Sequence, residues 1–158
     1  MIKTKRMFMT MVIAGGLVIP LLQTAYAQQS GRKTLTPLIS GGQKACSTSP
    51  VSTTTSAPLE TVSINNGTVS RNVIVQFSAE TSVDPGATMG LDYKIDGGSP
   101  IAIGPYFFST DVGYQTRTAI GVIKLGPGTH TIQPVINAGG GGTVYVYYRC
   151  LTAEGQTK

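Results

Sequence analysis

Apolar and polar residues alternate at every second position in one short run after another, and Gly, Pro, Asn and Asp separate the runs. This alternation predicts strands with one buried face, because successive side chains point to opposite sides. The strongest run is Thr143 to Leu151, TVYVYYRCL. It predicts a strand with Val144, Val146, Tyr148 and Cys150 on one face and Tyr145, Tyr147 and Arg149 on the other. The run before it, from Thr129, puts His130, Ile132, Pro134 and Ile136 on one face. With the glycine stretch Gly139 to Gly142 between them, the two runs predict a closing β-hairpin. Pro134 predicts an edge or a bulge, since proline has no N–H to give a ladder.

The earlier runs follow the same logic. Leu59 to Ile64 alternates and ends in Asn65-Asn66-Gly67, residue types that accept positive φ and so favour a tight turn. Thr68 to Ala79 places Val69, Val73, Val75 and Phe77 on one face, and Asp84-Pro85-Gly86 turns the chain. Met89 to Ile95 directs Met89, Leu91, Tyr93 and Ile95 inward, with Asp92 and Lys94 outward. Asp96-Gly97-Gly98 turns it back into Ile101 to Ile103. Tyr106 to Gly113 lacks a period and reads as a loop packed over one end of the sheets. Thr116 to Leu125 is apolar on both sides and predicts a strand buried on both faces. Ser47 to Pro58 reads either as an extended linker or as a first edge strand around Val51 to Thr55. Seven or eight strands with no helix among them predict an all-β fold: an antiparallel β-sandwich of jelly-roll type.

Composition supports this, since 20 Gly, 9 Pro and only 12% charged residues suit short strands and turns. The N-terminus changes the picture. Lys3, Lys5 and Arg6 precede an apolar run from Met7 to Leu22, and Ala25-Tyr26-Ala27 forms a small-x-small cleavage site. That order predicts a signal peptide over 1–27 and a secreted or periplasmic chain, without membrane attachment after cleavage. The other reading is an uncleaved anchor helix, for which the run is short. Residues 28–45 are polar and aperiodic and read as a flexible leader, 46–152 as the sandwich domain and 153–158 as a polar tail.

Two cysteines in an exported chain predict one disulfide, Cys46 to Cys150, tying the first ordered segment to the last strand. The formal charge of +5 belongs to the N-terminal stretches. From Cys46 onward, six basic residues face seven acidic ones, which offers no basic face for nucleic acid.

Residues suited to catalysis or metal binding are few. His130 is the only histidine, so any Ser/His/Asp hydrolase would need it, yet no Gly-x-Ser-x-Gly elbow exists. Asp84, Asp96 and Asp111 sit at turns, as the oxygen ligands of a Ca²⁺ site would, but aspartate is also an ordinary turn residue. No cofactor is predicted. Asn66-Gly67-Thr68 matches a glycosylation sequon, although the turn geometry accounts for it. Tyr145, Tyr147 and Arg149 form a candidate interaction surface, since exposed tyrosine and arginine are common material of interfaces. Their alternative is a central strand with both faces buried.

Leu125-Gly-Pro-Gly-Thr-His-Thr-Ile, with the glycine loop and the strand ending Arg149-Cys150-Leu151-Thr152, resembles the closing strands of small secreted jelly-roll modules of the C1q/TNF-like type. Asp92-Tyr-Lys-Ile-Asp-Gly-Gly is similar to a hairpin of bacterial Ig-like modules. The C1q/TNF-like resemblance implies homotrimers and a ligand-binding or adhesive role. The expectation is therefore a non-enzymatic binding or structural module that works through protein contacts or self-association. A carbohydrate-binding sandwich is the alternative. Trp is absent, so tyrosines such as Tyr106, Tyr114, Tyr145 and Tyr147 would stack the sugar. A hydrolase using His130 is the second alternative.

Overall fold

The computed structural model describes residues 42–105 and 107–156. The expected signal segment 1–27, the leader up to residue 41, Tyr106 and the last two residues of the tail lie outside the described residues. Ten strands are formed: β1 Gln43–Ser47, β2 Val51–Thr53, β3 Ser56–Pro58, β4 Val62–Asn65, β5 Arg71–Val83, β6 Thr88–Ile95, β7 Phe107–Ser109, β8 Gln115–Leu125, β9 Thr129–Gly139 and β10 Val144–Gly155. The first strand thus begins within the stretch read as leader, and the last runs past Thr152.

The strands make two antiparallel sheets. Sheet A has the order β1-β10-β5-β8, with β2 also on β10; sheet B has the order β3-β9-β6-β7, with β4 also on β9. Most connections cross from one sheet to the other, the connectivity of a jelly roll. Ser47 to Pro58 is such a crossing: β2 pairs with β10 in sheet A and β3 with β9 in sheet B.

The expected hairpin is not formed. β9 and β10 belong to opposite sheets, and the glycine stretch carries the chain between them. Gly140 and Gly141 have φ of 76° and 80°, a region that costs residues with a Cβ. A Cβ on Gly140 would also stand 2.2 Å from the Gly86 carbonyl oxygen, so the arch packs directly on the Asp84–Gly86 turn. Alternation told which residues face the core but not which strand lies alongside.

The core fills the space between the sheets with Val73, Val75 and Phe77 of β5, Met89, Leu91 and Tyr93 of β6, Ile132 and Ile136 of β9, and Val144, Val146, Leu151 and Ala153 of β10. Val69, expected on the core face of its strand, precedes β5 and is exposed. Pro134 lies inside β9, a strand paired on both sides, not at an edge. Its carbonyl accepts from Leu59 N–H in the gap between β3 and β4, so its missing N–H faces a break in the neighbouring strand.

β8 corrects a second expectation. Among the described residues it pairs only with β5 and forms the edge of sheet A. Its outward Ile120 and Val122 are 57% and 58% exposed, while Ala119 and Leu125 face the core. Gly121 between them admits a backbone crossing: a Cβ there would lie 1.7 Å from the carbonyl oxygen of Ile103. Part of the stretch read as a loop, Phe107–Ser109, pairs with β6 as β7.

Candidate functional site

The site begins with an irregularity in β10. Val146 pairs with Thr81 of β5, but Arg149 pairs with Ala79, so β10 takes three steps while β5 takes two. This is a β-bulge, which re-aims side chains. Before it, Val144 and Val146 face the core; after it, Arg149, Leu151 and Ala153 are the buried residues. The expected face shared by Tyr145, Tyr147 and Arg149 is therefore split, and Tyr148 leaves the core face for solvent, 66% exposed. The signal in the sequence is the shift of apolar positions from even numbers, Val144 and Val146, to odd ones, Leu151 and Ala153.

Arg149 is enclosed by polar partners. Its guanidinium donates two-pronged to Glu60, with Nε to Oε2 at 2.6 Å and Nη2 to Oε1, and also to the Ser49 and Tyr147 carbonyls. Burial alone would raise the Glu60 carboxyl, but the Arg149 hydrogen bonds and charge outweigh it and hold it below the usual carboxylate value.

Turned out of the core register, Tyr148 joins Tyr145 and Tyr147 on the outer side of sheet A. The Tyr114 and Tyr147 rings meet edge-on, with centroids 5.0 Å apart and planes at 70°. Their hydroxyls lie 3.3 Å apart, and this contact with the exposed Tyr114 is the main cause that pushes Tyr147 up to about 12. Tyr145 is half-buried and donates to Asp84 at 3.3 Å. Beside the bulge is a shallow open concavity of about 420 Å³. Tyr148, Glu80, Ser78, Thr116 and the Cys46–Cys150 disulfide line it, with Ser78 and Thr118 hydroxyls bonded to each other at its edge. The disulfide joins directly opposed residues of β1 and β10, as expected. The outer side of sheet B is polar by contrast, with Asn137 donating to Asp92 at 2.8 Å and Gln133 to the Leu59 carbonyl.

The three candidate calcium ligands do not converge on one cluster: Asp111 lies beside the end of β5 that leads into Asp84, and Asp96 follows the far end of β6. Asp84 accepts from Thr143 N–H and Tyr145; Asp111 is paired with Arg117; Asp96 accepts from Thr131 N–H and contacts His130. No group of three or more His, Cys, Asp or Glu suited to a metal exists among the described residues. His130 places Nδ1 2.8 Å from Asp96 Oδ2 and Nε2 3.1 Å from the Gly126 carbonyl oxygen. Both ring nitrogens thus face acceptors, and among the described residues no serine, threonine or cysteine side chain is a hydrogen-bond partner of the ring. Sequence reasoning missed Tyr148, Glu80, Ser78 and Thr116, which only strand pairing assembles.

No protein-family model matches the chain, and neither does any curated protein sequence. Solved structures with a similar arrangement include a CBM35 module from Cellvibrio japonicus Abf62, 15% identical, covering 65% of this chain and 73% of that one at a TM-score of 0.39. Another is TmCBM61 in complex with beta-1,4-galactotriose, 12% identical, with 73% and 90% covered at a TM-score of 0.36. A third is the Cry1Da tryptic core from Bacillus thuringiensis, 12% identical, with 66% of this chain covered at a TM-score of 0.37; the chain spans only 18% of that protein's length. No C1q/TNF-like or Ig-like structure stands among these neighbours.

Proposed function

We propose that the chain is an exported, non-enzymatic binding module that holds a carbohydrate on the outer face of sheet A. The observation that carries this is the β10 bulge, which turns Tyr147 and Tyr148 to the same side next to Glu80 and a row of hydroxyls. A sugar ring has an apolar C–H face and a hydroxyl rim. Tyrosine suits the first with its ring and the second with its polar tip. Glu80, Ser78 and Thr116 add acceptors and donors around the same concavity, whose volume falls within the range of small-ligand sites. The test is affinity electrophoresis of the chain from Gln28 through gels containing a panel of polysaccharides. Retardation by at least one polymer, lost in Tyr148→Ala at unchanged melting temperature, is the expected result. Unretarded migration with every polymer sinks the reading.

Self-association is the second reading, and one observation favours it: the unpaired edge strand β8 carries the exposed Ile120 and Val122. The trimer implied by the C1q/TNF-like resemblance belongs here. Light scattering at tens of micromolar decides it, and a monomer removes it.

A further inference from the structure

We infer that this face selects neutral polysaccharide chains and rejects acidic ones such as polyuronates. The inference rests on the carbohydrate-binding reading and concerns which sugars that site accepts. Glu80 lies opposite the bulge, between the β10 pairs at Ala79 and Thr81, and lines the concavity together with Tyr148 and Thr116. It has no ion-pair partner among the described residues. Every nearby cation is either engaged or displaced. Arg149 also lines the concavity, but its side chain is 3% exposed and its guanidinium is held two-pronged by Glu60. Arg117 is paired with Asp111. Lys44 stands opposite Thr152, two residues along from the disulfide, and Lys124 pairs with Asn72, far along β8 from Thr116.

A neutral sugar gives the Glu80 carboxylate hydroxyl donors, and hydrogen bonds to a charged acceptor are the stronger kind. A uronate brings a second carboxylate instead, with no cation between the two, and like charges at contact range repel even under partial screening. The remaining lining is the disulfide, Ala79, Tyr148, the hydroxyls of Ser47, Thr48, Ser78 and Thr116, and Arg149, whose charge Glu60 already matches.

The experiment measures retardation constants for galactan, xylan and mixed-linkage β-glucan against polygalacturonate and alginate, at low and high salt. The expected result is retention by at least one neutral polymer about tenfold or more stronger than by either acidic one, a gap of about 1.4 kcal/mol. The gap narrows with salt, and Glu80→Gln shifts the acidic-to-neutral ratio upward. Equal or stronger retention by the acidic polymers, or an unchanged ratio in Glu80→Gln, overturns the inference while leaving carbohydrate binding in place. Absence of retention by all five polymers overturns the binding reading and the inference with it.

Discussion

Arg149 on β10 and Glu60, in the link between β3 and β4, form a two-pronged ion pair that ties sheet A to the edge of sheet B. The arginine side chain is 3% exposed and the glutamate 29%, so the two partners are not equivalent. Removing the carboxylate strands a charge in the interior, which costs about 3–5 kcal/mol in comparable pairs. Glu60→Gln is expected at the lower end, about 3 kcal/mol by urea unfolding, because solvent reaches Glu60 and softens the loss. Replacement without measurable destabilisation counts against a tight pair. The folded Glu60 carboxyl lies below its unfolded value of 4.5, so its stabilisation is present above that pH and disappears as pH falls through the lower folded value.

The disulfide closes a loop of sequence separation 104. The chain-entropy estimate for such a loop is about 4–5 kcal/mol. Cys150→Ser, or reduction, is expected to lower stability by about 2–5 kcal/mol. Non-reducing peptide mapping confirms the linked pair, and unchanged denaturant midpoints after reduction contradict the assignment of that loss.

His130 is the sole histidine, so its ring protons in an NMR titration are unambiguous. The Asp96 hydrogen bond raises its pKa above 6.5; burial opposes, and the Gly126 carbonyl adds to the rise. Asp96 is lowered from 3.8, first by His130 and then by Thr131 N–H. A raised histidine stabilises fully below 6.5 and stops doing so as pH rises through its folded value. A lowered aspartate stabilises above 3.8 and stops as pH falls. The clamp between the Asp96 turn and the Gly126 turn is therefore strongest between those limits. Asp96→Asn is expected to bring the His130 midpoint down; a midpoint that stays put rejects the contact.

Gly121→Val tests the crossing at β8. The new Cβ meets the Ile103 carbonyl oxygen, which is backbone and cannot swing aside. Overpacking of this kind costs about 1–3 kcal/mol or more. Gly113→Ala, in a turn with open space around it, is the control expected within about 0.5 kcal/mol. Similar melting temperatures for both variants refute the close approach.

The mature N-terminus is a further expected outcome. Protein recovered from an exporting cell should begin at or near Gln28, since Ala25-Tyr26-Ala27 follows the apolar run. Edman sequencing that returns Met1 from membrane-bound material excludes this.

The sequence by itself determined which residues can be strands and which of their faces are apolar, because that information is local. Val73, Val75 and Phe77, or Met89, Leu91 and Tyr93, carry their burial in their spacing. It also determined the disulfide, since two cysteines allow one pairing. Tertiary structure alone decided partnership. Whether the strands flanking Gly139 to Gly142 pair with each other or arch between two sheets depends on what else competes for their edges, and β5 and β6 take those places. The same holds for β8, whose apolar pattern reads as a buried strand but which, among the described residues, has no strand neighbour beyond β5. The bulge at Tyr147 and Tyr148 was decided there too. An inserted residue is neutral to local propensity and is fixed only when Arg149 finds Glu60 and Ser49 on the inner side, leaving both tyrosines for the outer one.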